Sequence, residues 1–181
     1  MDTLPLQSVF KDFEKFINQR KTVILGTLNA ALEAEASYAP VLRNDGKFYI
    51  YVSELAKHTH NLLENKNLTL LFIEDESEAD NIFARKRATL KTQARHIARD
   101  SEGWDNIMDA YGEHLGETAK NLRNLQDFHL FELTTITGNF VRGFAQAYEL
   151  SGDLLNEVRH MNDRGHGQSK LEDDDKPTRS A

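Results

Sequence analysis

A histidine flanked by glycines, Gly165-His166-Gly167, sits in a polar stretch after the last apolar segment of the chain. It belongs to no periodic core face, and its backbone is free enough to carry the imidazole to a ligand. Neutral imidazole is the side chain most often used to hold a transition metal. Taken alone, a solvated histidine in a frayed tail accounts for the motif, and only the rest of the chain can change that reading. A second feature is the basic triplet Arg85-Lys86-Arg87, which follows the acidic run Glu74-Asp75-Glu76-Ser77-Glu78. Read as part of a strand, it places Arg85 and Arg87 on one face and Lys86 on the other. Two guanidiniums so placed form either a salt-bridged surface or a seat for an anionic ligand such as a phosphate or carboxylate pair. Asp127, at the start of a predicted strand, reads as a cap or turn residue, or as a carboxylate that accepts a proton from a histidine elsewhere and orients it. Lys57-His58-Thr59-His60 puts two histidines two apart on a predicted helix, where they point away from each other. That suits a surface or an anion contact better than a shared metal.

Composition narrows the class. With 181 residues, 39% hydrophobic and 28% charged, the chain suits one globular domain with a real core. A formal charge of -7 argues against general nucleic-acid binding. The absence of cysteine removes disulfides, zinc-thiolate sites, iron–sulfur clusters and thiol nucleophiles. The opening residues MDTLPLQSVFKDFEKF carry acids where a secretory signal carries bases, and no segment approaches the roughly 20 apolar residues that span a bilayer. A cytoplasmic location is therefore expected. GxGxxG after a strand, GxxxxGK, HExxH and GxSxG are all absent.

The elements that must position these residues follow from periodicity. Leu6, Val9, Phe10, Phe13, Phe16 and Ile17 recur at helical spacing. Strands are expected over 22–28, 35–42 and 47–52, with the turn Asn44-Asp45-Gly46 before the third. A helix over 57–65 turns Leu62 and Leu63 inward, and Leu68 to Ile73 reads as a strand buried on both faces. Further strands are expected over 85–94, 126–136 and 140–150, the last interrupted at Gly143, with a helix from about 100 to 120. Ser151-Gly152-Asp153 is expected to cap a final helix over Leu154, Leu155 and Val158. Six or seven strands in hairpins with intervening helices predict an α+β domain built round an antiparallel barrel over residues 1–158, and a flexible acidic tail over 159–181. A barrel this small leaves strand faces uncovered, so a homodimer with sites in the groove between subunits is expected.

Five blocks then stand in register: Ser37-Tyr38-Ala39-Pro40, Ile73-Glu74-Asp75-Glu76-Ser77-Glu78-Ala79, Phe83-Ala84-Arg85-Lys86-Arg87, Leu125-Gln126-Asp127-Phe128 and Gly143-Phe144-Ala145-Gln146-Ala147-Tyr148. Together they strongly resemble the HugZ/HutZ haem-utilisation family, relatives of the FMN-binding split barrels that include pyridoxamine-phosphate oxidases. The resemblance runs from about Phe16 to His166. It implies a split-barrel homodimer that binds haem at the subunit interface and degrades it, releasing iron, with an external electron donor. His166 falls where the family has its axial ligand to the haem iron. Asp127 falls where it has the aspartate bonded to that histidine, and Arg87 where an arginine stands near the iron's open position. On this resemblance His166 and Arg87 hold haem, and Asp127 and Arg87 are catalytic. Asp127 would fix the imidazole tautomer and push electron density toward the iron, while Arg87 would stabilise developing charge. Two other readings stand beside it. One is a flavin enzyme of the same fold, holding the FMN phosphate through Arg87, Lys57 and Asn61; the other is a haem carrier or store without turnover.

Overall fold

The structure is a computed structural model that describes residues 6–161. Helix α1 (Leu6–Asn18) buries Val9, Phe13, Phe16 and Ile17, the stripe expected from their spacing. Phe13 and Phe16 meet Phe140 of the sheet with ring centroids 5.7 and 5.9 Å apart. Each such side chain removed from water contributes on the order of 1.5–3 kcal/mol, which holds the helix on the barrel.

The strands are β1 (Thr22–Leu28), β2 (Ala34–Pro40), β3 (Leu42–Asn44), β4 (Lys47–Ser53), β5 (Asn67–Ile73), β6 (Arg87–Ile97), β7 (Phe128–Gly143), β8 (Gln146–Ser151) and β9 (Glu157–His160). They form one sheet ordered β2-β1-β5-β6-β7-β4-β3, with β8 on β7 and β9 on β8. All the pairings are antiparallel. Strand β7 is the spine: its first half bonds β4, its second half bonds β8, and β6 runs along most of its length. A register shift at Lys91/Thr92 bends this central pair. The observed architecture is the expected α+β antiparallel barrel with flanking helices. Helix α2 (Lys57–Glu64) follows β4, while α3 (Trp104–Leu115) and α4 (Glu117–Leu122) connect β6 to β7. A second apolar cluster under α3 and α4 gathers Tyr49, Tyr51, Trp104, Met108, Tyr111 and Leu130. No helix among the described residues is long and apolar enough to cross a membrane.

Several local expectations are corrected. Strand β6 begins at Arg87, so Arg85 and Arg87 do not share a strand face. Arg85 is instead drawn back to the acidic loop, where its Nε donates to the Glu74 carbonyl at 3.1 Å. Strand β7 runs unbroken through 136–140, because Gly138 marks a close approach and no break: a β-carbon there would lie 2.7 Å from Leu90 Cδ2. The chain reverses only after Gly143, with Ala145 at φ 58°. The expected helix over 100–120 is two helices parted at Gly116, whose φ of 88° an L side chain resists. No final helix forms over Leu154–Val158; a turn with Leu155 at φ 58° leads into β9 instead. Leu62 is buried but Leu63 is 47% exposed, and β5 alternates buried with half-exposed positions, so it is buried on one face only.

Candidate functional site: two half-sites at opposite ends of the barrel

Asp127 stands one residue before β7, and the fold pins it from two directions. Its Oδ2 accepts the Ser53 hydroxyl proton at 3.0 Å, and its carbonyl accepts the Glu54 amide at 2.8 Å. The loop leading to it is strapped as well. Arg99 donates to the carbonyls of Arg123 and Leu125 at 2.6 and 2.5 Å and to the Tyr51 hydroxyl at 2.9 Å. Burial pushes the Tyr51 phenol up, with the Arg99 hydrogen bond opposing, so it stays a neutral donor. The second oxygen of Asp127 makes no hydrogen bond among the described residues and is left for an incoming donor.

Ser53 and Phe128, the neighbours of Asp127, line a cavity of about 440 Å³ whose walls also include Tyr38, His58, Tyr111 and Leu115, though not Asp127 itself. Its lining is mainly apolar and aromatic, the surface that receives a flat hydrophobic ligand. Phe128 packs on Tyr51 with centroids 5.1 Å apart. His58 is buried, with Nδ1 2.9 Å from the Ser37 hydroxyl, and desolvation lowers its pKa. Thus His58 is a cavity wall and not the surface contact expected from the sequence.

Arg87 lies elsewhere. It opens β6, its Nη1 donates to the Arg85 carbonyl at 3.0 Å, and it has no carboxylate partner among the described residues. Around it is a second cavity, of about 390 Å³, lined by Phe83, Arg87, Val141, Phe144, Gln146 and Met161. Phe83 is 90% exposed and Phe144 78%, so two aromatic rings stand in solvent beside an unpaired guanidinium.

The structure does not bring Asp127 and Arg87 together within one subunit. Arg87 pairs with Val141 at one end of the β6–β7 ladder, and Ile97 pairs with Leu130 at the other, next to Asp127. At about 3.3 Å per residue, roughly 30 Å of strand separates the two levels. His166 lies outside the described residues.

Glu35 takes two of the three side chains expected for a flavin phosphate, both on α2: Lys57 Nζ lies 3.3 Å from its Oε1 and Asn61 Nδ2 2.9 Å from its Oε2. The Asn61 bond, against the opposing effect of burial, leads in holding the Glu35 pKa below the usual carboxylate range. Ser53, Arg99 and Glu35 carry no local signal in the sequence, because each meets its site partners more than 20 residues away along the chain. The spacing of Asp127 from Ser53 becomes meaningful only once β4 and β7 are in register.

The fold belongs to a known class. Residues 10–142 match the family described as pyridoxamine 5'-phosphate oxidase, most of the chain, and the protein belongs to that split-barrel family. Within it, the chain is a member of the haem-utilisation group: it is 41% identical over 155 residues to Heme oxygenase HutZ of Vibrio cholerae, covering 86% of this chain and 88% of that one. The fold superposes on Campylobacter jejuni ChuZ with a TM-score of 0.83 at 32% identity, over 93% of this chain and 68% of that one. It also superposes on a Vibrio cholerae HutZ structure described as a heme storage protein, with a TM-score of 0.65 at 39% identity, over 68% of this chain and 87% of that one.

Proposed function

We propose that the protein binds haem between two copies of itself and degrades it oxidatively with release of iron, drawing electrons from an external donor. The observation that carries this reading is the separation of two incomplete, solvent-open half-sites at opposite ends of one barrel. A two-fold dimer sets the Asp127 end of each subunit against the Arg87 end of its partner, and so completes two identical sites. In this reading His166 is the ligand that closes each site, paired with Asp127 of the partner subunit.

The roles follow from the chemistry of each group. Haem, as substrate, supplies the iron at which oxygen is activated. His166 holds that iron through one ring nitrogen. Asp127, held by Ser53, accepts the other ring N–H, which fixes the tautomer and raises the basicity of the ligand. Arg87, free of any carboxylate, donates toward the opposite face and stabilises negative charge as it develops. The aromatic walls exclude water from the macrocycle. An FMN phosphate fits poorly, because it would have to enter a seat where Glu35 already engages Lys57 and Asn61.

A haemin titration followed by ascorbate under air tests the reading. The expected result is a saturable Soret band at about one haem per subunit that decays after reductant is added. A band that persists under reductant would assign the protein to haem storage. The absence of any Soret band would overturn haem binding altogether.

A further inference from the structure

Flanking the Asp127 half-site but outside its cavity, three titratable side chains form a chain across the β6–β7 end of the barrel. Glu54 Oε1 lies 2.7 Å from His129 Nε2, and His129 Nδ1 lies 3.0 Å from His96 Nε2. A carboxylate only accepts, so His129 carries its proton on Nε2 and turns the Nδ1 lone pair toward His96. The two rings lie 5.0 Å apart between centroids and rest over buried Phe131. Neither histidine lines the cavities at Asp127 or Arg87.

We propose that His96 Nε2 and His129 Nδ1 chelate a divalent first-row transition metal, with Glu54 as the carboxylate that orients His129. Two ligands at about 2.0–2.1 Å from a tetrahedral ion stand about 3.3 Å apart. The observed 3.0 Å between the nitrogens needs to open by only a few tenths of an ångström. The ion takes the place of the shared proton, which moves to His96 Nδ1 as that ring changes tautomer, so charge on the rings is conserved. Desolvation, with the neighbouring His129, lowers the His96 pKa and keeps its ring available as a neutral ligand. The carboxylate–histidine arrangement is the one that commonly supports metal-bound imidazole. No cluster of three ligating side chains converges among the described residues, so the protein would supply two ligands and solvent the others. Imidazole pairs suit zinc, nickel, copper and ferrous iron, and do not suit calcium or magnesium.

Calorimetric titration of the tag-free full chain with zinc chloride and nickel chloride tests this. The expected result is one micromolar site per subunit, weakened at least about tenfold by H96Q and by H129Q and by a similar factor by E54Q. The glutamine variants keep a side chain of similar reach, and circular dichroism checks their fold. H166A is expected to retain the site. Unchanged affinity in both H96Q and H129Q, loss of binding in H166A, or no binding in the native chain would overturn the proposal.

Discussion

At the scale of single residues, the proposed chemistry turns on how firmly Asp127 is held. Asp127→Asn keeps the shape but loses the full negative charge, so haem should still bind while breakdown slows on the order of 10- to 100-fold. Ser53→Ala removes the 3.0 Å bond to Oδ2 and should slow breakdown by less, with haem affinity retained. A native rate for that variant, followed by the decay of the Soret band, would remove Ser53 from the mechanism. A second cluster concerns stability. Glu132 is 6% exposed and accepts from Tyr49 at 3.2 Å, beside Lys47 at 3.0 Å and Arg95 at 3.1 Å. Burial pushes its carboxyl up, but the bonds to Lys47 and Arg95 outweigh it and leave the pKa below the usual value. Burial, followed by the nearby Glu132 charge, pushes the Tyr49 phenol up to about 12. A depressed carboxyl stabilises the fold above its unfolded pKa of about 4.3, and that contribution is lost as pH falls through the folded value. Glu132→Gln should therefore flatten the acid side of the stability profile and cost about 1–2 kcal/mol at neutral pH. Denaturant melts at a series of pH values check this, and the same acid slope in both proteins would contradict it.

At the scale of elements, Gly138 shows most clearly how the sheet is built. A β-carbon there would lie 2.7 Å from Leu90 and 3.6 Å from Leu150, both fully buried, on the strands either side of β7. Gly138→Ala should cost about 1–3 kcal/mol through overpacking, read as a lower midpoint in thermal unfolding. An unchanged midpoint would mean that β6 and β8 can yield. The strongly periodic elements were legible in the sequence: α1, β1, β4 and the barrel class all follow from spacing. The break at Gly143 also follows from the sequence; what periodicity could not give was that Gly138 permits close packing inside an unbroken strand. Both glycines lie on β7, yet only Gly143 ends it. Strand β6 begins at Arg87, two residues later than its residue types suggest, for a related reason. Arg85 suits a strand by type, but its bonds to the Glu74 carbonyl compete with the ladder and hold it outside.

At the scale of the whole molecule, the candidate site was only half legible. Asp127 and Arg87 could be picked out as types in context, but their separation depends on the register of β6 against β7, which no local pattern encodes. On the proposed reading, that register makes the site a property of two subunits. Sedimentation should show a dimer, and dilution below its dissociation constant should abolish haem breakdown in parallel with dissociation. Activity that survives in the monomer would contradict an intersubunit site. The most direct measurement is complementation between Asp127→Asn and His166→Ala subunits, co-expressed with distinct tags. Each homodimer lacks one half of both sites, whereas each mixed dimer regains one intact site. Random pairing makes half the dimers mixed, so about a quarter of native haem breakdown should return, all of it in the doubly tagged fraction. Activity in that fraction no higher than in the parent variants would contradict the pairing of His166 with the partner subunit's Asp127.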